Sequence, residues 1–152
     1  MAAKRDNPFG AFNFTVQLGS VQGEIGAIIG GFSDVSGLGV DISYSEYRNG
    51  NEVHNTVRKV PNTHKLDDVT LKRGVVGSAD LFQWLKNVRD GTPEPREVRI
   101  TLRNELREAV ATWHLTKAQP KKWVGPTLTA KGGGEVAMEE LHLVHEGIEF
   151  EE

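Results

Sequence analysis

The residues best suited to chemistry in this 152-residue chain crowd near its C-terminus, where His142 and His145 stand beside Glu139, Glu140 and Glu146. Imidazoles and carboxylates bind zinc and other divalent metals. A helix would gather some of the five on one face, whereas on a strand positions three apart point to opposite sides. The strand reading, a solvated polar strand with no metal, is the better one. Gly37-Leu38-Gly39 begins like a dinucleotide-binding loop, but Ile42 occupies the third glycine's place and no helix follows. A flexible turn is expected there. Gly132-Gly133-Gly134 lacks the Lys-Ser or Lys-Thr of a phosphate cradle. Serine, histidine and aspartate are present without a nucleophile elbow or similar context. Trp84, Trp113 and Trp123 have faces able to stack bases or sugars. Trp84 falls on an apolar helical stripe and Trp113 in a strand, where core packing is the ordinary role, while Trp123 stays open. No catalytic residue, metal or cofactor is therefore expected.

The elements that would position these groups are mostly strands. Phe12, Phe14, Val16 and Leu18 alternate with Asn13, Thr15 and Gln17, which predicts a strand over 11–18. A second is predicted near 39–47 from Val40-Asp41-Ile42-Ser43-Tyr44-Ser45. Arg48 to Lys65 holds turn formers, charges and scattered valines, and reads as a long exposed hairpin-like loop. Alternation resumes over Asp68–Arg73. Leu81, Trp84, Leu85 and Val88 recur at helical spacing after Ser78, a candidate cap, with Asp80 in the first turn and Gly91 and Pro93 as stops. Two strands follow, around Val98–Leu102 and Val110–Thr116, joined at 104–108. Pro120, Gly125 and Pro126 are expected to break the chain around Lys121-Lys122-Trp123. The segment 135–150 fits either a helix or a strand that changes face at a bulge, and strand is preferred. About seven strands, one helix and many Gly and Pro turns imply a mainly β chain closed into an antiparallel sheet, because closure removes exposed edges.

Length and composition agree with a single globular domain: 38% of residues are hydrophobic and 26% charged. Lys and Arg number 18 against 21 Asp and Glu, so no basic excess favours nucleic acid. Cysteine is absent, which rules out disulfides and thiolate metal sites. The N-terminal residues lack the apolar stretch of a signal peptide, so synthesis in the cytoplasm is expected. No apolar run approaches the roughly 20 residues of a membrane span.

Several phrases resemble the tail-tube protein family of contractile phages and extracellular contractile injection systems. Phe32-Ser33-Asp34-Val35-Ser36-Gly37-Leu38 is the first. Tyr47-Arg48-Asn49-Gly50 is similar to the family's Tyr-x-x-Gly, and Arg58-Lys59-Val60-Pro61 to its Arg-Lys-hydrophobic-Pro, with Asn62 where glycine is usual. The most specific stretch runs from Asp68-Val69-Thr70-Leu71-Lys72-Arg73-Gly74-Val75 through Asp80-Leu81-Phe82-Gln83-Trp84-Leu85 to Val88-Arg89-Asp90-Gly91. Lys117–Pro126 and Glu140–Gly147 carry the likeness almost to the end.

The resemblance implies a non-enzymatic structural subunit: a β-barrel with one flanking helix, one tail-tube domain over 1–152, and 1–10 as a flexible or interface arm. It implies rings of six copies stacked into a hollow tube that cargo or DNA traverses, in a virion tail or phage-tail-like particle. Partners would be the chain itself, a sheath protein, baseplate and tube-initiator proteins, and a terminator cap. Arg48, Asn49, Asn51, Glu52, Arg58 and Lys59 are the candidate ring-stacking residues. Gln83, Lys86, Asn87 and Asp90, on the helix's polar face, are the candidates for the sheath. The alternatives are a type VI secretion tube protein and a β-rich ligand-binding module that does not polymerise.

Overall fold

The computed structural model of the chain describes residues 6–19, 28–54, 56–77, 79–132 and 135–152. Among them run β1 (Phe14–Leu18), β2 (Ile28–Gly30), β3 (Asp34–Ser36), β4 (Val40–Tyr47), β5 (Arg58–Leu66) and β6 (Val69–Gly74), followed by α1 (Asp80–Arg89), β7 (Arg96–Arg103), β8 (Ala109–Val124), β9 (Met138–Val144) and β10 (Gly147–Glu151). The chain is mainly β with one helix, as expected. Eight strands form one antiparallel network in the order β2-β1-β7-β8-β9-β6-β3, with β10 also on β8.

The long strand β8 shapes this network. Its first half pairs with β10, Thr116 opposite Gly147, and its second half with β9, Gln119 opposite Val144. Strands β9 and β10 are thus one bent strand laid along β8, which resolves the ambiguous final segment as strand. The bend lies where Lys117 takes φ 49° and the register slips between Pro120 and Lys122. Bulges of this kind carry strands around a corner from one sheet to the next. Pro120 does not break the chain; it is buried inside β8, at an irregularity where the ladder can spare a donor.

Alternation places Val16 and Leu18 of β1, Val98 and Ile100 of β7, Leu115 of β8, Val69 and Leu71 of β6, and Leu141 and Leu143 of β9 in one core. Helix α1 adds Leu81 and Trp84 to it, with Val88 packed against its edge. Trp84 donates from Nε1 to the Glu94 carbonyl at 2.8 Å, which satisfies its one polar atom inside. The proposed cap Ser78 lies outside the described residues, and Ala79 at the helix start offers no side-chain cap. Asp80 in the first turn and Lys86 and Arg89 in the last match the helix dipole.

Among the described residues the ladder does not close into the expected barrel. Its path ends at β2 and β3, three residues each, which do not pair with one another. Residues 31–33 join these ends covalently, over at most roughly 15 Å, so the connection works as a corner rather than as a hairpin.

The expected 48–65 loop is also corrected. Arg58–Leu66 is a strand, paired with Val40–Tyr47 in a separate two-stranded ribbon, and only residues 48–57 form its turn. The register runs unbroken from the network into the ribbon: Asp34 faces Lys72, Ser36 faces Thr70, Val40 faces Leu66 and Ile42 faces His64. β3–β4 and β5–β6 are therefore two lengths of one hairpin, an inner length within the body and an outer length beyond it.

Candidate assembly interface

No described part of the chain covers the outer length. Every residue of β4 is exposed, and in β5 only Leu66, at its inner end, is half-buried. By the period of two, Val40, Ile42 and Tyr44 share a face, with Leu66 and Pro61 opposite Val40 and Tyr44. Ile42 is 53% and Tyr44 55% exposed. An isolated two-stranded ribbon is marginally stable in water, so an apolar stripe on one is a surface prepared for a partner.

The turn at the ribbon's tip holds most of the predicted stacking residues together. Arg48 donates from Nε to the His54 carbonyl at 3.1 Å and from Nη2 to the Glu52 carbonyl at 2.9 Å. The Glu52 carboxylate pairs with Arg58 at 2.9 Å and accepts from Asn49 at 3.4 Å. Lys59 pairs across the strands with Glu46 and, by that hydrogen bond first and its charge second, holds the Glu46 carboxyl below the usual range. Asn51 sits exposed in the turn outside this network. These side chains bind one another and so fix the tip's shape. What they leave outward is Val53, 93% exposed.

On α1, Gln83 donates to Asn87 at 3.0 Å and Asp90 lies 3.4 Å from Arg89, while Lys86 projects into solvent. The four predicted residues form one outward band, except that Asn87 is half-buried. Phe82, 37% exposed, meets the Trp123 ring edge-on at 5.2 Å, so Trp123 belongs to the helix–sheet seam.

The chemistry-bearing residues disperse. His142 lies 3.4 Å from Glu140, two positions away on the same face of β9, whereas Glu139 points inward. Lys72, by its hydrogen bond first, holds the Glu140 carboxyl below the usual range. No group of three or more potential metal ligands occurs among the described residues. A cleft lined by Phe14, Leu38, Ile100, Leu102 and Trp113, with Ser33, Ser36, Asp34 and Lys72 also on its wall, contains no histidine to activate a serine.

Sequence reasoning missed two constellations. Arg73 and Glu139 are buried opposite each other on β6 and β9, paired at 2.5 Å, and Trp123 donates to the second Glu139 oxygen at 3.2 Å. The signal was parity: Arg73 follows Val69 and Leu71, and Glu139 precedes Leu141 and Leu143, each on its strand's apolar face. The second constellation lies at the ribbon's base, where Lys121 pairs with Asp68 at 2.7 Å. No spacing rule links residues so far apart in sequence.

Among the described residues the chain is a mainly β body that projects a ribbon whose strands are exposed. The family of T4-like virus tail tube protein gp19 matches residues 10–149, and the chain belongs to that family, which is one of structural tube proteins. No curated protein matches the sequence. Among solved structures, a chain of the PVC extracellular contractile injection system sheath–tube complex in the extended state superposes with a TM-score of 0.81 at 27% identity, covering 95% of this chain and 91% of that one. A chain of the anti-feeding prophage (AFP) baseplate gives 0.84 at 26% identity, covering 96% and 97%. Hcp1 from Flavobacterium johnsoniae shares the fold alone, with a TM-score of 0.54 at 12% identity over 90% of this chain and 93% of that one. The chain is a tail-tube protein of the contractile-injection kind. No helix among the described residues is long and apolar enough to cross a membrane.

Proposed function

We propose that this chain forms rings, six copies to each, that stack into the inner tube of a contractile injection particle, with a sheath outside and cargo passing within. The observation that carries this reading is the uncovered apolar ribbon on a chain of the tube-protein family. Within a ring, strand addition is available at unpaired edges: β2 and β10 lie at opposite ends of the run β2-β1-β7-β8-β10. An edge that meets a different edge of the next copy makes a head-to-tail contact, and such contacts close into rings when the rotation permits. Between rings, the ribbon reaches the neighbouring ring and covers its Val40, Ile42 and Tyr44 stripe there. The Gln83, Lys86, Asn87 and Asp90 band faces the sheath. Baseplate and terminator partners are supported by the AFP baseplate and the PVC sheath/tube terminator, in which similar chains occur, and a tube initiator belongs to the same reading. The assembled tube would work outside the cell that made it. Electron microscopy of the purified chain over a range of concentrations tests the assignment: rings or short tubes are expected, and monomers at every concentration would overturn it.

A further inference from the structure

The outer and inner lengths of the long hairpin meet at residues 37–39 and 67–68, and this crossing is tightly built. Gly37 takes φ 87°, and a β-carbon there would land on the Asp68 carbonyl oxygen. One on Gly39 would meet only the movable end of the Asp67 side chain, so the tight constraint is at Gly37. The ladder continues through the crossing, with Asp67 N–H donating to the Gly39 carbonyl at 3.1 Å. The body then grips it from the β8–β9–β10 corner. Lys121 of β8 pairs with Asp68 at 2.7 Å, and His145, between β9 and β10, places Nε2 3.1 Å from the Asp67 carbonyl and Nδ1 3.0 Å from the Gly147 carbonyl.

We propose that this crossing is a set joint that aims the ribbon at a second copy of the chain, with His145 and Lys121 as the positioning residues that clasp it to the body. The inference rests on the reading of the ribbon as the ring-to-ring contact. A carbonyl oxygen only accepts, and a neutral imidazole carries one N–H, so His145 hydrogen-bonds both carbonyls only when both its nitrogens are protonated. The groups around it are Asp67 and Asp68 on the hairpin, Lys117 and Lys121 on β8, His142 on β9 and Glu146 beside it, the last 3.7 Å from Lys117. Lys121, by its hydrogen bond first, then by its charge with those of His142 and His145, holds the Asp68 carboxyl below the usual range, against an opposing effect of burial. The joint thus has one ion pair and one imidazole clasp.

The chain has no cysteine, so Val53→Cys at the tip and Glu108→Cys in the β7–β8 turn accept a spin-label pair, diluted with unlabelled chain to suppress signals between copies. Electron–electron resonance should give one narrow distance distribution. His145→Ala and Lys121→Ala should broaden it and reduce tube formation, while thermal melting and ring formation stay as in the parent. The charge-swapped pair Lys121→Asp with Asp68→Lys should restore the narrow distribution. A distribution equally narrow in His145→Ala overturns the joint. If those distances respond as stated but tubes form without the ribbon tip, the stacking role of the ribbon fails and not the joint.

Discussion

The inner and outer lengths of the long hairpin share a register as far as Ile42 opposite His64, beyond which it slips by one residue, and β6 and β4 show the same alternation, yet their fates differ. In β6, Val69, Leu71 and Arg73 are buried in turn; in β4, Val40, Ile42 and Tyr44 alternate just as regularly and all remain exposed. The inner length has β9 beside it and the core beneath it. The outer length has only itself. Alternation therefore marks which residues are meant to be covered, and it is silent on whether the cover comes from the same chain or another. On this account the molecule folds with one half of the hairpin and assembles with the other.

Substitutions in the inner length should show the larger effect and show it in stability. Arg73→Ala leaves the buried Glu139 carboxylate without the guanidinium that pairs with it, and should lower stability by about 3–5 kcal/mol in denaturant unfolding. Leu71→Ala should lower it by about 2–5 kcal/mol, depending on how far the site collapses around the lost side chain. If either variant keeps full stability, the inner length is not the folding half.

The outer length should give the opposite result. Ile42→Asp with Tyr44→Asp should change stability by no more than about 0.5 kcal/mol per site, since both side chains are more than half exposed. Tubes should nevertheless vanish from micrographs while rings persist. Shortening the tip within 49–57 should likewise leave rings that do not stack, because loop tips tolerate shortening when their backbone is not buried. Tubes of normal length from the shortened chain would move stacking elsewhere.

The helix band lies outside the hairpin. Lys86→Glu with Asp90→Lys should leave tubes intact and impair sheath assembly around them, as sedimentation of the two proteins together would show. Normal sheathing would argue against that face. The smallest effect is expected from acid. Lys121 depresses the Asp68 carboxyl, so the pair's contribution is present above the ordinary carboxylate range, near pH 4, and is lost as pH falls through the lower folded value. Since this pair is exposed, a pH titration of Lys121→Ala against the parent should show only a slight difference, confined to acid and in that direction.

Much of the fold was legible because burial writes period two into a strand, as in Val16 and Leu18 or Leu141 and Leu143. The helix was legible in Leu81 and Trp84 for the same reason at another period. Physical context hid the rest. Strand β5 has almost no buried residue to give it a pattern, so it read as loop. Strand β8 continues through Pro120 because a corner bulge can dispense with one donor, and no local rule signals a corner. The open ladder depends on how β2 and β3 meet in space. Of the candidate site, Arg48, Asn49, Glu52 and Arg58 were found through family resemblance and prove to be mutual partners at the tip. The clasp of His145 and Lys121 on residues 67–68 was not found, since it joins positions brought together only by the bent strands.

Hydrogen exchange on rings and on tubes shows whether a second copy covers the outer length. Ring samples come from the chain shortened within 49–57 and tubes from the parent. The account expects amides of 40–47 and 58–66 to exchange freely in rings and slowly in tubes, while those of 69–74 and 138–144 are protected equally in both. Ribbon amides that exchange as freely in tubes as in rings would contradict it.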